Sequence, residues 1–194
     1  MNYLAHLHLG GSGRDQLLGS LYGDFVKGPL DNQWSPGIEA AIRLHRRIDA
    51  FTDRHWLVDQ ARARFPAPRR RVSGILLDVF FDHCLARHWA DYAEQPLGDF
   101  TAEVYRVLLT EPELPPRLAR IAPHMATQDW LGSYQTFDVL ERVIDGMASR
   151  FSRPALMTGA FTELAERYDV LEADFRAFYP EVQAFVQHEL STTS

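Results

Sequence analysis

The sequence predicts a single all-α domain, a helical bundle of about eight helices, and three observations carry that prediction. The chain has 194 residues, 46% of them apolar, which is enough for one compact core without staples or metal-dependent folding. Long stretches (Ile38 to Thr52, Val72 to Trp89, Phe137 to Ser149 and Phe161 to Tyr179) carry apolar side chains three and four residues apart, the spacing that lines one face of an α-helix. Sustained alternation of apolar and polar residues, the mark of a half-buried strand, is nearly absent. Residues 1–190 read as that domain and residues 191–194 as a frayed tail.

The opening Tyr3-Leu4-Ala5-His6-Leu7-His8-Leu9 alternates, so it reads either as an extended segment with both histidines on one side or as a helix that splays them. Gly10-Gly11-Ser12-Gly13 lacks the Lys-Ser/Thr of a phosphate-cradling turn and is given only a loop's role. A helix through Leu21-Tyr22-Gly23-Asp24-Phe25 is expected to close before Gly28. Asp24 then sits where a carboxylate opposes the helix dipole, either as an ordinary surface aspartate or as a ligand. Pro36 marks the first turn of the next helix, in which Ile38, Ala41, Ile42, His45, Ile48, Asp49 and Thr52 share one stripe while Arg43, Arg46 and Arg47 point more to the outside. His45 and Asp49, four residues apart, can converge on one ion or one proton, although a lone histidine on such a stripe is commonly a core residue.

Breaks at Pro66-Ala67-Pro68, Pro96, Pro115-Pro116, Pro123 and Pro154 bound the later helices. Asp78, within Ile75-Leu76-Leu77-Asp78-Val79-Phe80-Phe81, is apolar-flanked on nearly all sides and is expected to be buried. Gly74, Asp78, Asp82 and Ala86 stack at four-residue spacing, leaving room for a divalent cation between two carboxylates, with the His83 imidazole next door. The competing account is a salt bridge to these aspartates from Arg46, Arg47 or Arg87, since buried charges are either paired or metal-bound.

Several function classes drop out. The longest apolar stretch falls far short of the ~20 residues a membrane span needs, the first residues lack the pattern of a signal peptide, and Cys84 is the only cysteine. A cytoplasmic protein with no membrane contact is expected. Cys84 and His83 diverge as neighbours on a helix, and there is no Gly-x-Ser-x-Gly elbow, paired-cysteine zinc motif or dinucleotide-binding loop. Net charge of −6 disfavours bulk nucleic-acid binding, yet nine arginines against three acids between Arg43 and Arg71 make that segment +6 and leave −12 elsewhere. Such a segment suits an acidic partner or is simply a solvated helix face. A His- and Asp-rich helical bundle holding a metal suits hydrolysis of a phosphate ester through an activated water.

Five ordered blocks resemble the acyl carrier protein phosphodiesterase family: Met1 to Leu9, Leu21 to Gly28, His45-Arg46-Arg47-Ile48-Asp49, Leu77 to His83 with Arg87-His88-Trp89, and Gly146-Met147-Ala148-Ser149-Arg150. The resemblance implies a cytoplasmic enzyme that hydrolyses the phosphodiester joining 4′-phosphopantetheine to the serine of holo acyl carrier protein. It implies a divalent metal, Mn²⁺ first with Mg²⁺ or Fe²⁺ as alternatives, and a fold like that of the HD-domain phosphohydrolases. Metal binding is carried onto Asp24, His45, Asp49, Asp78 and Asp82, with His83 as a further ligand, and catalysis onto Asp78, Asp82, His83 and Arg46; the dyad here reads Asp82-His83, reversed from the HD order. Arg43, Arg47, Arg69, Arg70 and Arg71 are expected to meet the acidic carrier protein. Two other readings stay open: an HD-type nucleotide phosphohydrolase, and a non-catalytic helical module that binds an acidic partner.

Overall fold

A computed structural model describes residues 1–149 and 153–193. Among these residues there are eleven α-helices, two short 3-10 turns and no strand, so the all-α class is as predicted. The helices are α1 (Tyr3–Gly10), α2 (Arg14–Phe25), α3 (Pro36–Asp53), α4 (Trp56–Ala63), α5 (Arg70–Arg87), α6 (Leu97–Thr110), α7 (Pro116–Thr127), α8 (Trp130–Ser133), α9 (Val139–Ala148), α10 (Ala160–Glu166) and α11 (Tyr168–Thr193). Their number exceeds the expected eight because short α4, α8 and α10 stand apart from their longer neighbours. Helix α11 carries Ser191–Thr193, which were expected to fray, and accommodates Pro180 in its interior. Ser194 lies outside the described residues, as does Arg150 of the last resembling block.

The ambiguous opening segment is a helix. Leu4, Ala5, Leu7 and Leu9 are all buried, so α1 is surrounded by apolar neighbours and its alternation carries no strand meaning. Its start is completed from far along the chain: the Leu4 and Ala5 amides donate to the two carboxylate oxygens of Asp82 at 2.9 and 3.0 Å. Asp82 thus satisfies two of the amides that every helix N-terminus leaves open.

Helices α2 and α3 make the closest pair, and two glycines allow it. A Cβ added at Gly19 would lie 2.5 Å from the Ile38 carbonyl oxygen and 2.4 Å from the Ala41 Cβ, and one at Gly23 would lie 2.2 Å from the His45 ring. One turn apart on α2, they bring it against the stripe of α3 that holds Ala41 and His45. The centre of the bundle is filled by Leu18, Ile42, Leu76, Phe80, Phe175 and Phe178, each wholly removed from solvent. No helix is long and apolar enough to cross a membrane among the described residues.

Candidate metal centre

Three side chains from α1 and α3 converge at the edge of this core. His6 Nε2 lies 3.0 Å from Asp49 Oδ1, and His45 Nε2 lies 3.3 Å from Asp49 Oδ2. The two imidazoles stack with centroids 3.6 Å apart and planes at 16°. Both rings are buried, whereas the Asp49 side chain keeps 43% of its surface exposed, so the cluster is closed behind and open in front. One ligand atom from each residue lies within 4.8 Å of the others.

The hydrogen bonding shows what the cluster would accept. His45 Nδ1 is 2.8 Å from the Ser20 carbonyl oxygen, which can only accept, so Nδ1 carries the proton. In the neutral ring, Nε2 then aims a lone pair at a carboxylate, acceptor against acceptor, and either a proton or a metal cation between them relieves it. An imidazole whose far nitrogen is fixed by a backbone carbonyl is the usual arrangement of a metal-binding histidine. Burial pushes His6 down to about 3, against the pull of its Asp49 hydrogen bond, so it stays neutral, and its Nδ1 is buried with no hydrogen-bond partner. Burial alone would raise the Asp49 carboxyl, but the adjoining His45 and His6 rings and the Met1 amino group outweigh it and hold it well below the usual carboxylate range. Two imidazoles and a carboxylate form a donor set for a borderline divalent ion with open positions left over. The residues present fit the metal that the resemblance implies.

Asp24 is half-buried near this cluster. Burial raises its carboxyl, His45 lowers it and Asp49 raises it again. Together with Asn2 and Tyr3 it also lines a cleft of about 780 Å³.

The other expected residues are placed differently. Asp78 is 38% exposed rather than buried, and it receives the buried amino group of Met1 at 2.9 Å, which also lies 3.5 Å from Asp49. The apolar run around Asp78 is buried on its other faces, while Ile75 and Asp78 front the start of the chain and the cleft. Asp82 is fully buried, with both oxygens committed to α1, and desolvation pushes it up to about 7. The acidic stripe of α5 therefore anchors the start of the chain, Asp82 through the Leu4 and Ala5 amides and Asp78 through the Met1 amino group. His83 is not brought to the site either: Nδ1 meets the Tyr134 carbonyl at 2.7 Å and Nε2 meets the Tyr168 hydroxyl at 2.8 Å. Consecutive helical side chains diverge, which is why Asp82 and His83 serve opposite sides of α5.

The basic segment is compensated by acids from outside it. Arg43 pairs with Glu39, Arg47 with Glu189, Arg64 with Asp174 and Arg69 with Glu163. Arg46 is half-buried and donates to the Val26 carbonyl at 3.0 Å. Arg69, expected on a docking face, is buried and also donates to the carbonyls of Leu156 and Thr158. Arg70 is exposed and reaches the carbonyls of Phe65 and Ala63, and Arg71 is exposed. His6 is the residue that sequence reasoning missed. Its only signal was the alternation with His8, and α1 sends His8 away, to the Tyr92 carbonyl and the Tyr179 hydroxyl.

An all-helical domain that presents a two-histidine, one-carboxylate cluster beside a cleft has the parts that a metal-dependent hydrolase needs. A sequence model described as acyl carrier protein phosphodiesterase matches residues 1–182. Curated proteins of that name from Escherichia coli O139:H28 (strain E24377A / ETEC) and O9:H4 (strain HS) are 38% identical over 191 residues, covering 97% of this chain and 99% of theirs. The one from Escherichia coli strain K12 / DH10B is 38% identical over 186 residues, covering 95% and 96%. No solved structure matches. The chain belongs to the acyl carrier protein phosphodiesterase family and is an enzyme, a phosphoric diester hydrolase.

Proposed function

We propose that this protein hydrolyses the phosphodiester between 4′-phosphopantetheine and the serine of holo acyl carrier protein, using a divalent metal, Mn²⁺ first, held by His6, His45 and Asp49. The single observation that carries the metal is the His45 ring: its Nδ1 proton is fixed on Ser20, and its Nε2 lone pair faces the Asp49 carboxylate. The family membership carries the substrate. When bound, the ion supplies Lewis acidity for a phosphoryl oxygen and activation of water.

The chain's own residues do the rest. His6 and His45 hold their rings in a fixed stack, so the donor atoms need no rearrangement on loading. Asp24, given to the metal by the resemblance, has its carboxyl raised by burial and in this reading holds the proton that passes to the departing serine oxygen. Asp82 and Asp78 act one step back, since they seat α1 and with it His6. In this reading exposed Arg70 and Arg71, with Arg43 beyond its pair with Glu39, meet the acidic carrier protein. A cytoplasmic setting and a distant relation to HD-domain hydrolases belong to the same reading.

The test is mass spectrometry of holo acyl carrier protein incubated with the protein and Mn²⁺. Conversion to the apo form, lost in chelator and in His45→Ala, is the expected result. Full conversion in chelator, with the metal shown to be gone, would overturn the metal assignment, and no conversion with any divalent ion would overturn the substrate.

A further inference from the structure

We propose that the cleft beside the metal centre seats the non-protein limb of the substrate, the linear two-amide pantetheine arm, with Arg117 on its phosphate. This rests on the reading above and assigns that reading's substrate to a place. At about 780 Å³ the cleft lies in the size range of small-molecule sites. Asn2, Tyr3 and Asp24 form one end of it, next to the His6, His45 and Asp49 cluster.

Arg117 also lines the cleft. Its guanidinium lies 5.9 Å from the ring centroid of Phe25, the residue after Asp24, and Phe25 stacks on Tyr3 at 6.2 Å. Among the described residues Arg117 makes no ion pair, and neither does Arg142, the other guanidinium lining the cleft. A guanidinium held over Phe25, whose ring stacks on cleft-lining Tyr3, is suited to receive a phosphate as a fork.

Helix α9 makes the far wall. Val139, Arg142, Val143, Gly146 and Met147 face the cleft at helical spacing, while Leu140 and Ile144 on the opposite side are buried. The apolar stripe of α9 on this side therefore borders open space, with Ile75 and Ile121 across from it. Aliphatic walls suit a chain of methylene and dimethyl groups, and Gln128 and Ser133 add polar atoms for its amides. Among the described residues a Cβ at Gly146 would meet nothing within 4 Å, so a larger side chain there projects toward the cleft.

Calorimetric titration of the Mn²⁺-loaded protein with 4′-phosphopantetheine tests the assignment. Binding should weaken by about tenfold or more in Gly146→Phe and in Arg117→Ala, the scale of one lost charge-assisted contact, and should persist in Gly146→Ala, which controls for folding. Adenosine 5′-monophosphate, with the same phosphate on a different limb, should bind more weakly. No binding to the wild type, equal binding by Gly146→Phe, or equal binding of the nucleotide overturns the proposal. Wild-type protein that shows the expected binding pattern but never cleaves holo acyl carrier protein retires the proposed reaction and leaves the cleft assignment standing. Undiminished cleavage by Gly146→Phe overturns the cleft assignment alone.

Discussion

Asp82 is the residue whose chemistry differs most from its pattern. On spacing alone it is one of two carboxylates a turn apart, ready for a cation, but its two oxygens accept the Leu4 and Ala5 amides. Removing it would leave two buried donors unsatisfied, each costing about 1–3 kcal/mol, partly offset because a desolvated carboxyl is no longer buried. Asp82→Ala is expected to lower stability by about 1–3 kcal/mol in urea melts and to weaken Mn²⁺ binding through a displaced His6. An unchanged melt would mean that α1 starts without this cap. His6 and Asp49 follow a different logic. Each is tuned by its neighbour, one imidazole kept neutral by burial and one carboxyl held ionised by two rings.

At the scale of the element, the site depends on how closely α2 approaches α3. Gly23 sits under the His45 ring with no room for a methyl group, and Gly19 repeats the arrangement one turn earlier against Ile38 and Ala41. Overpacking of this kind costs about 1–3 kcal/mol. Gly23→Ala should do more than that to function, because the ring it displaces is a proposed ligand. We expect Mn²⁺-dependent turnover to fall by a larger factor than in Gly19→Ala, although both lose comparable stability. Equal turnover in the two variants, measured beside their melting temperatures, would show that His45 can shift without consequence.

For the whole molecule, two buried groups set an unusual pH response. Asp82 is raised from 3.8 to about 7, mainly by desolvation, so the native state holds its proton. The stability it contributes is full below 3.8 and is lost as pH climbs toward 7. His6 is lowered from 6.5 to about 3, so its contribution is full above 6.5 and is lost as pH falls toward 3. Between 3.8 and 6.5 the two run in opposite directions by one proton each and cancel. In Asp82→Asn, with chelator present, the Asp82 response is removed, while that of His6 remains beside those of His8 and His83, lowered by burial, and of Asp24, raised by it. The slope of stability against pH across that window should then be more positive than in the wild type by about 1.4 kcal/mol per unit, and urea midpoints whose pH dependence matches the wild type would contradict the assignment. The arginines offer a second test. Arg69→Ala should destabilise the fold, because it breaks a buried pair with Glu163 and two carbonyl contacts. Charge reversal at exposed Arg70 and Arg71 should instead raise KM for the carrier protein in a salt-dependent way. A salt-independent KM, unchanged by the reversal, would move the docking face elsewhere.

The sequence by itself determined what is local. Apolar spacing and proline breaks specify the helices, and four-residue spacing within one helix places His45 beside Asp49, because helical neighbours are set by the backbone alone. Only the tertiary structure decided what lies far apart in the chain. It made the opening segment a helix by burying it on all sides and capping it from Asp82, and so delivered His6 to the cluster. It spent Asp78 on the Met1 amino group and His83 on Tyr134 and Tyr168. It matched much of the basic segment to Glu39, Glu163, Asp174 and Glu189. A carboxylate stripe looks the same in sequence whether it faces a cation or the amides of another helix, since spacing records which residues share a face and not what that face meets.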